Sequence, residues 1–251
     1  MQSTKLFFCL VMVFILLTVT GCSLLKASEA PDYGFVPMPE LLTEQPDHRP
    51  FNKAWVAGRP LSEVRQQRSQ LYIPPVSTKI LEERYASEIE DTEARMIQAE
   101  EAQELARYFA NRCKLVLANY MHHPLTLAEA RTAQSVTLEL ALVELSPTSP
   151  LINVIGSAAG YFVPGGGLVK IAGKGRVSME GMIADGATGE YLERFKDREE
   201  DKASAFSLKD FQRYAHLRVA IDDWCDQLIA ILAKPADEDT EDSLPIAFNP
   251  F

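Results

Sequence analysis

The cysteine with the clearest chemistry stands at position 22. It closes the run Val19-Thr20-Gly21-Cys22: a branched apolar residue, two small residues, then a thiol. That is the pattern of a bacterial lipobox. Cleavage between Gly21 and Cys22 would leave the thiol at a new N-terminus, where it takes a thioether-linked diacylglycerol and the freed amine is acylated in turn. The segment before it suits export. Lys5 supplies a short positive start, and Leu6 to Leu17 is an unbroken run of twelve apolar residues. As a helix such a run spans about 18 Å, well short of the ~30 Å hydrocarbon core, so residues 1–21 read as a cleaved signal rather than an anchor that spans. Several acyl chains, at ~0.8 kcal/mol per methylene, hold a protein stably on a membrane. Ser23 follows the cysteine where an acidic residue would favour retention at the inner membrane. The expected location is therefore the outer membrane, facing the periplasm.

Cys113 and Cys225 remain once the signal is cleaved and Cys22 is lipidated. In an oxidising compartment such a leftover pair is a candidate disulfide. The alternative is two buried thiols that never meet.

The other candidates read more blandly. His122 and His123 are adjacent, and adjacent residues in an extended turn point apart, so one metal could not take both without ligands brought from elsewhere. No metal site is expected. The glycines of GGGLVKIAGKG (165–175) resemble a phosphate loop superficially, but five residues, not four, separate Gly167 from Gly173, and Gly175, not Ser or Thr, follows Lys174. Ser157 lacks the second glycine of a nucleophile elbow. The acidic run Glu82–Glu104 could pair carboxylates for glycan cleavage, yet Arg84 and Arg95 are interspersed as on a solvated helical face. The net charge of −10 argues against nucleic acid as a partner. The periplasm holds no nucleotide pool, so no cofactor is expected beyond the covalent lipid on Cys22.

One stretch invites a partner. Leu151–Gly173 has six glycines and a single charge, Lys170, with apolar residues that include Tyr161 and Phe162. Long connections in compact domains are usually functional or disordered, and contiguous exposed apolar surface marks contacts. Tyr161, Phe162, Gly165, Gly166 and Gly167 are the candidate partner-contact residues. The alternative is that this stretch covers an open side of the sheet.

The elements that would position these residues follow from periodicity. Residues 22–65 carry six prolines between Pro31 and Pro60 and no lasting period, so an extended tether is expected. Gln70–Val76 reads as a short strand. A helix over Glu88–Tyr120 repeats Ala102, Leu105, Phe109, Cys113, Val116 and Tyr120 on one face. Ser135–Leu145 alternates as a strand and slips phase at Leu142-Val143. Arg176–Asp185 and Tyr191–Glu199 form a hairpin about Gly186-Ala187-Thr188-Gly189. A last helix begins near Ser207 and Asp210 and ends at Lys234-Pro235. Residues 235–251 are acidic and expected to be disordered. The expected fold is α+β over 66–234: a small, mostly antiparallel sheet with two long helices packed on one face.

The stretch Leu140–Glu200, with Ser146-Pro147, Asn153 and the Asp185-Gly186-Ala187-Thr188-Gly189-Glu190 turn, followed by a helix bearing Asp222, Trp224 and Leu228, resembles the bacterial lipoprotein family grouped as domain of unknown function 3313. The resemblance covers roughly residues 65–233. It implies a fold and a compartment, and no catalytic residues. Together these readings point to a membrane-anchored, non-catalytic interaction or assembly module of the cell envelope, whose partner is another envelope protein or a second copy. The alternative is a hydrolase or binding protein acting on envelope glycans or lipids.

Overall fold

The computed structural model describes residues 30–44, 49–120, 125–146, 175–200 and 215–233. Gly21, Cys22, the stretch Leu151–Gly173 with Tyr161, Phe162, Gly165, Gly166 and Gly167, the histidines His122 and His123, and the acidic end 235–251 lie outside the described residues.

The fold is α+β. Among the described residues its sheet has seven strands: β1 (Thr43–Glu44), β2 (Lys53–Val56), β3 (Gln70–Tyr72), β4 (Thr126–Ala128), β5 (Ser135–Ser146), β6 (Arg176–Asp185) and β7 (Tyr191–Glu200), in the order β1-β2-β7-β6-β5-β3-β4. Four helices are described: α1 (Leu61–Gln67), α2 (Lys79–Glu88), α3 (Thr92–Asn119) and α4 (Ala215–Ala233).

The sheet is larger than expected, and it is mixed. The three long strands β5, β6 and β7 are antiparallel neighbours, with a bulge between Leu142 and Glu144 where the alternation slips. β3, however, runs parallel to both β4 and β5. Parallel neighbours need a long crossover, and α2 and α3 supply it between Tyr72 and Ser135. The helical layer also departs from two long helices. Where one helix was expected from Glu88, α2 ends and α3 begins afresh at Thr92, with the Asp91 carboxylate accepting the Ala94 N–H at 2.7 Å as an N-cap.

The expected tether is in large part folded. β2 pairs with the outer edge of β7, Phe51 and Ala54 are each 1% exposed, and α1 buries Leu61 and Val64. Two of its prolines stand at element boundaries. Pro60 is the residue before α1, and Pro39 opens the short 3₁₀ turn Pro39–Leu41. A ring that fixes φ and lacks an N–H is tolerated there, so Pro39 and Pro60 mark starts of elements rather than an absence of structure.

The main core lies between the helices and one sheet face. Val136, Leu138, Leu140 and Leu142 of β5, Val177, Met179 and Ile183 of β6, and Leu192 and Phe195 of β7 meet Leu105, Phe109 and Val116 of α3 and Ile221, Trp224 and Leu228 of α4. A second, small cluster (Val36, Leu42 and Met182, with Phe35, Trp55 and Tyr191 against it) lies apart from that core.

Candidate functional site

The register of β5–β7 places an unusual set of side chains on the sheet face away from the helices. Ser178 opposes Arg198, Glu180 opposes Lys196 and Met182 opposes Arg194, while Glu144 of β5 opposes Ser178. Such cross-strand pairs on a solvated face would be ordinary. Here they are buried: Glu180 is 3% exposed, Lys196 2%, Arg194 4% and Ser178 0%.

What covers them is the segment Ala30–Leu42. The Glu180 carboxylate accepts the Tyr33 N–H at 2.7 Å on one oxygen, and the Phe35 and Val36 N–H groups at 2.7 and 2.9 Å on the other. Lys196 Nζ donates to the Ala30 carbonyl at 2.8 Å and to Asp32 Oδ1 at 2.7 Å. Arg194 donates to the Pro37 carbonyl at 3.2 Å, with its guanidinium 4.5 Å from the Trp55 ring centre and 5.0 Å from that of Tyr191. A buried charge is costly unless it is paired and hydrogen-bonded, and these three are. Gly34, at φ +92°, gives the turn that brings successive N–H groups onto one carboxylate.

A second charged group adjoins it. Glu144 accepts from the Ser178 hydroxyl at 2.7 Å and from Arg198 Nη2 at 2.7 Å. Burial pushes the Glu144 carboxyl up, but the Ser178 and Arg198 bonds outweigh it and hold the group below the ordinary carboxylate range. Burial, and then the neighbouring Glu144 charge, push the Tyr33 phenol up, so it stays protonated at neutral pH.

The helical side is clamped separately. Cys113 of α3 and Cys225 of α4 are joined in a disulfide, their Cα atoms 4.7 Å apart. One turn away, Asp222 accepts from the Tyr108 hydroxyl at 2.6 Å and from Arg112 Nε at 2.9 Å. Burial, and then Asp222, raise the Tyr108 phenol to about 12. The Trp224 indole donates to Asp197 Oδ2 of β7 at 2.8 Å, tying α4 to the sheet.

Of the residues singled out by sequence, the structure brings Cys113 and Cys225 together. No group of three or more His, Cys, Asp or Glu able to hold a metal occurs among the described residues, and no described helix is long and apolar enough to cross a membrane. Sequence reasoning missed Glu180, Arg194 and Lys196 entirely. A signal for them existed: Arg194, Lys196 and Arg198 share one face of one strand, and three like charges in a row require acceptors. The face offers charged groups that hold a polypeptide main chain. Its carboxylate and ammonium groups are turned toward main-chain N–H and C=O groups.

The family comparison fits this architecture. The family described as "Protein of unknown function (DUF3313)" matches residues 52–228, which include β2 through β7 and most of α4. The chain belongs to this family. No curated protein matches the sequence. Among solved structures, a single-substitution variant of PelC from Paraburkholderia phytofirmans, described as a dodecamer, resembles it with TM-score 0.37 at 9% identity over 72% of this chain and 98% of that one. A second PelC dodecamer from the same organism gives TM-score 0.38 at 7% identity over 72% and 96%.

Proposed function

We propose that this family member is a lipid-anchored envelope lipoprotein, held through Cys22 on the periplasmic face of the outer membrane, and that its folded domain is a non-catalytic interaction or assembly module. The observation that carries the reading is the Val19-Thr20-Gly21-Cys22 run directly after twelve apolar residues. Two features support it. The disulfide between Cys113 and Cys225 suits an oxidising compartment. The buried charges of β5–β7 are engaged by main chain, an arrangement for holding a polypeptide. Metabolic labelling with a palmitate analogue tests the anchor. The wild type takes the label and Cys22→Ala does not; equal labelling of the two would end the reading. In-cell cross-linking from the folded domain tests the module, with an envelope protein or a second copy as the expected neighbour. Turnover of peptidoglycan by the purified protein would favour the hydrolase alternative instead.

A further inference from the structure

We propose that the polar face of β5–β7 is a peptide-binding cleft that reads main-chain groups, and that Ala30–Pro37 is its resident ligand, a strap able to release. This goes beyond the lipoprotein reading and does not depend on Cys22.

The contacts define the ligand. Glu180 takes three backbone N–H groups, Lys196 a backbone carbonyl and Arg194 another. Among these contacts the strap contributes one polar side chain, Asp32, which pairs with Lys196. Val36, 2% exposed, fills the apolar end beside Met182. The cleft therefore suits a peptide bent at its centre, with an acidic residue, a left-handed residue two places on and a branched apolar residue two places after that. Because main chain supplies most of the contacts, another segment of the same shape could replace the strap.

Two further observations point to release. Backbone strain stands at the end of the strap: Met38, which directly follows Pro37, is at φ 53° and is the one non-glycine residue with positive φ among the described residues. Such strain collects at clamps and switches. The docked strap also leaves the cleft incompletely met, since Arg194 Nε is buried with no acceptor among the described residues. In addition, the strap precedes the family-matched residues, which begin at 52, while β5, β6 and β7 lie within them.

Two substitutions in the full chain shift the strap in opposite directions without touching the cleft. A Cβ on Gly34 would meet nothing within 4 Å, and at φ +92° a β-branched residue is strained, so Gly34→Val weakens the docked turn through its backbone. Met38→Asn relieves strain, because Asn tolerates the left-handed region. Hydrogen exchange at the Tyr33, Phe35 and Val36 amides should be about tenfold faster in Gly34→Val and several-fold slower in Met38→Asn, with β6 amides unchanged in both. A fluorescent synthetic peptide of residues 30–38 should bind Gly34→Val about tenfold more tightly than wild type, since apparent affinity scales with the fraction of open clefts. The same peptide N-methylated at Tyr33, Phe35 and Val36 should not bind. The proposal is overturned if the three amides exchange in step with β6 in every variant. It is equally overturned if the peptide does not distinguish Gly34→Val from wild type, or if the N-methylated peptide binds as well as the parent.

Discussion

Asp185 ends β6 with its side chain fully buried, and two guanidinium groups meet it there. Arg68 bonds both carboxylate oxygens, at 2.8 and 3.0 Å, Arg59 reaches one at 3.2 Å, and the Ala187 N–H adds a bond at 3.0 Å. Burial pushes this carboxyl up, but Arg68, the Ala187 amide and Arg59 together bring it below its ordinary value. Because the folded value is the lower one, Asp185 stabilises the fold above the unfolded pKa, and that contribution is lost as pH falls through the folded pKa. Glu144 behaves the same way. Stability should therefore decline on acidification below about pH 4. Asp185→Asn should cost about 2–4 kcal/mol at pH 7 and flatten that acid limb, read from denaturant midpoints across pH. Next to it, a Cβ on Gly186 would lie 2.3 Å from the Ser135 carbonyl and 2.4 Å from that of Thr132. Both obstacles are backbone, so Gly186→Ala should lower the melting temperature by an amount equivalent to about 2–3 kcal/mol. The turn itself was legible from its glycines. The need for a buried acid at its start was not, since its partners are 117 and 126 residues away in sequence.

At the scale of elements, the α3–α4 pair is held by the Cys113–Cys225 bridge, the Asp222 bonds and the Phe109–Trp224 ring contact at 5.9 Å. The bridge closes a sequence separation of 112 residues. Loop-closure entropy for a loop of about 100 residues amounts to about 4.7 kcal/mol, commonly less in practice. Replacing both cysteines by Ser should lower the melting temperature by roughly 8–16 °C, measured by calorimetry. Trp224→Phe keeps most of the ring but leaves Asp197 without the indole N–H, so a loss of about 1–3 kcal/mol is expected. The apolar face of α3, the β6–β7 hairpin and the slip in β5 could be read from sequence because each is a local period. The parallel β3–β4 and β3–β5 pairs could not. Strands of three residues carry too little alternation to declare a direction.

Over the whole molecule, the N-terminal third is where sequence and structure part. Its prolines suggested a free tether, yet Ala30–Leu42 lies across the polar face and β2 extends the sheet. A strap fixed by main-chain bonds leaves almost no trace in its own side-chain pattern, so nothing in residues 30–42 pointed to Glu180 and Lys196. If Cys22 bears lipid, docking of the strap sets how far the domain stands from the bilayer. Eight peptide steps separate Cys22 from Ala30; at ~3.5 Å each they reach at most about 28 Å. The most direct measurement is the mass of the N-terminal peptide of protein extracted from membranes. The account predicts a peptide that begins at Cys22 and carries diacylglycerol on the thiol and an acyl chain on the amine. A chain that begins elsewhere, or at an unmodified Cys22, would contradict it.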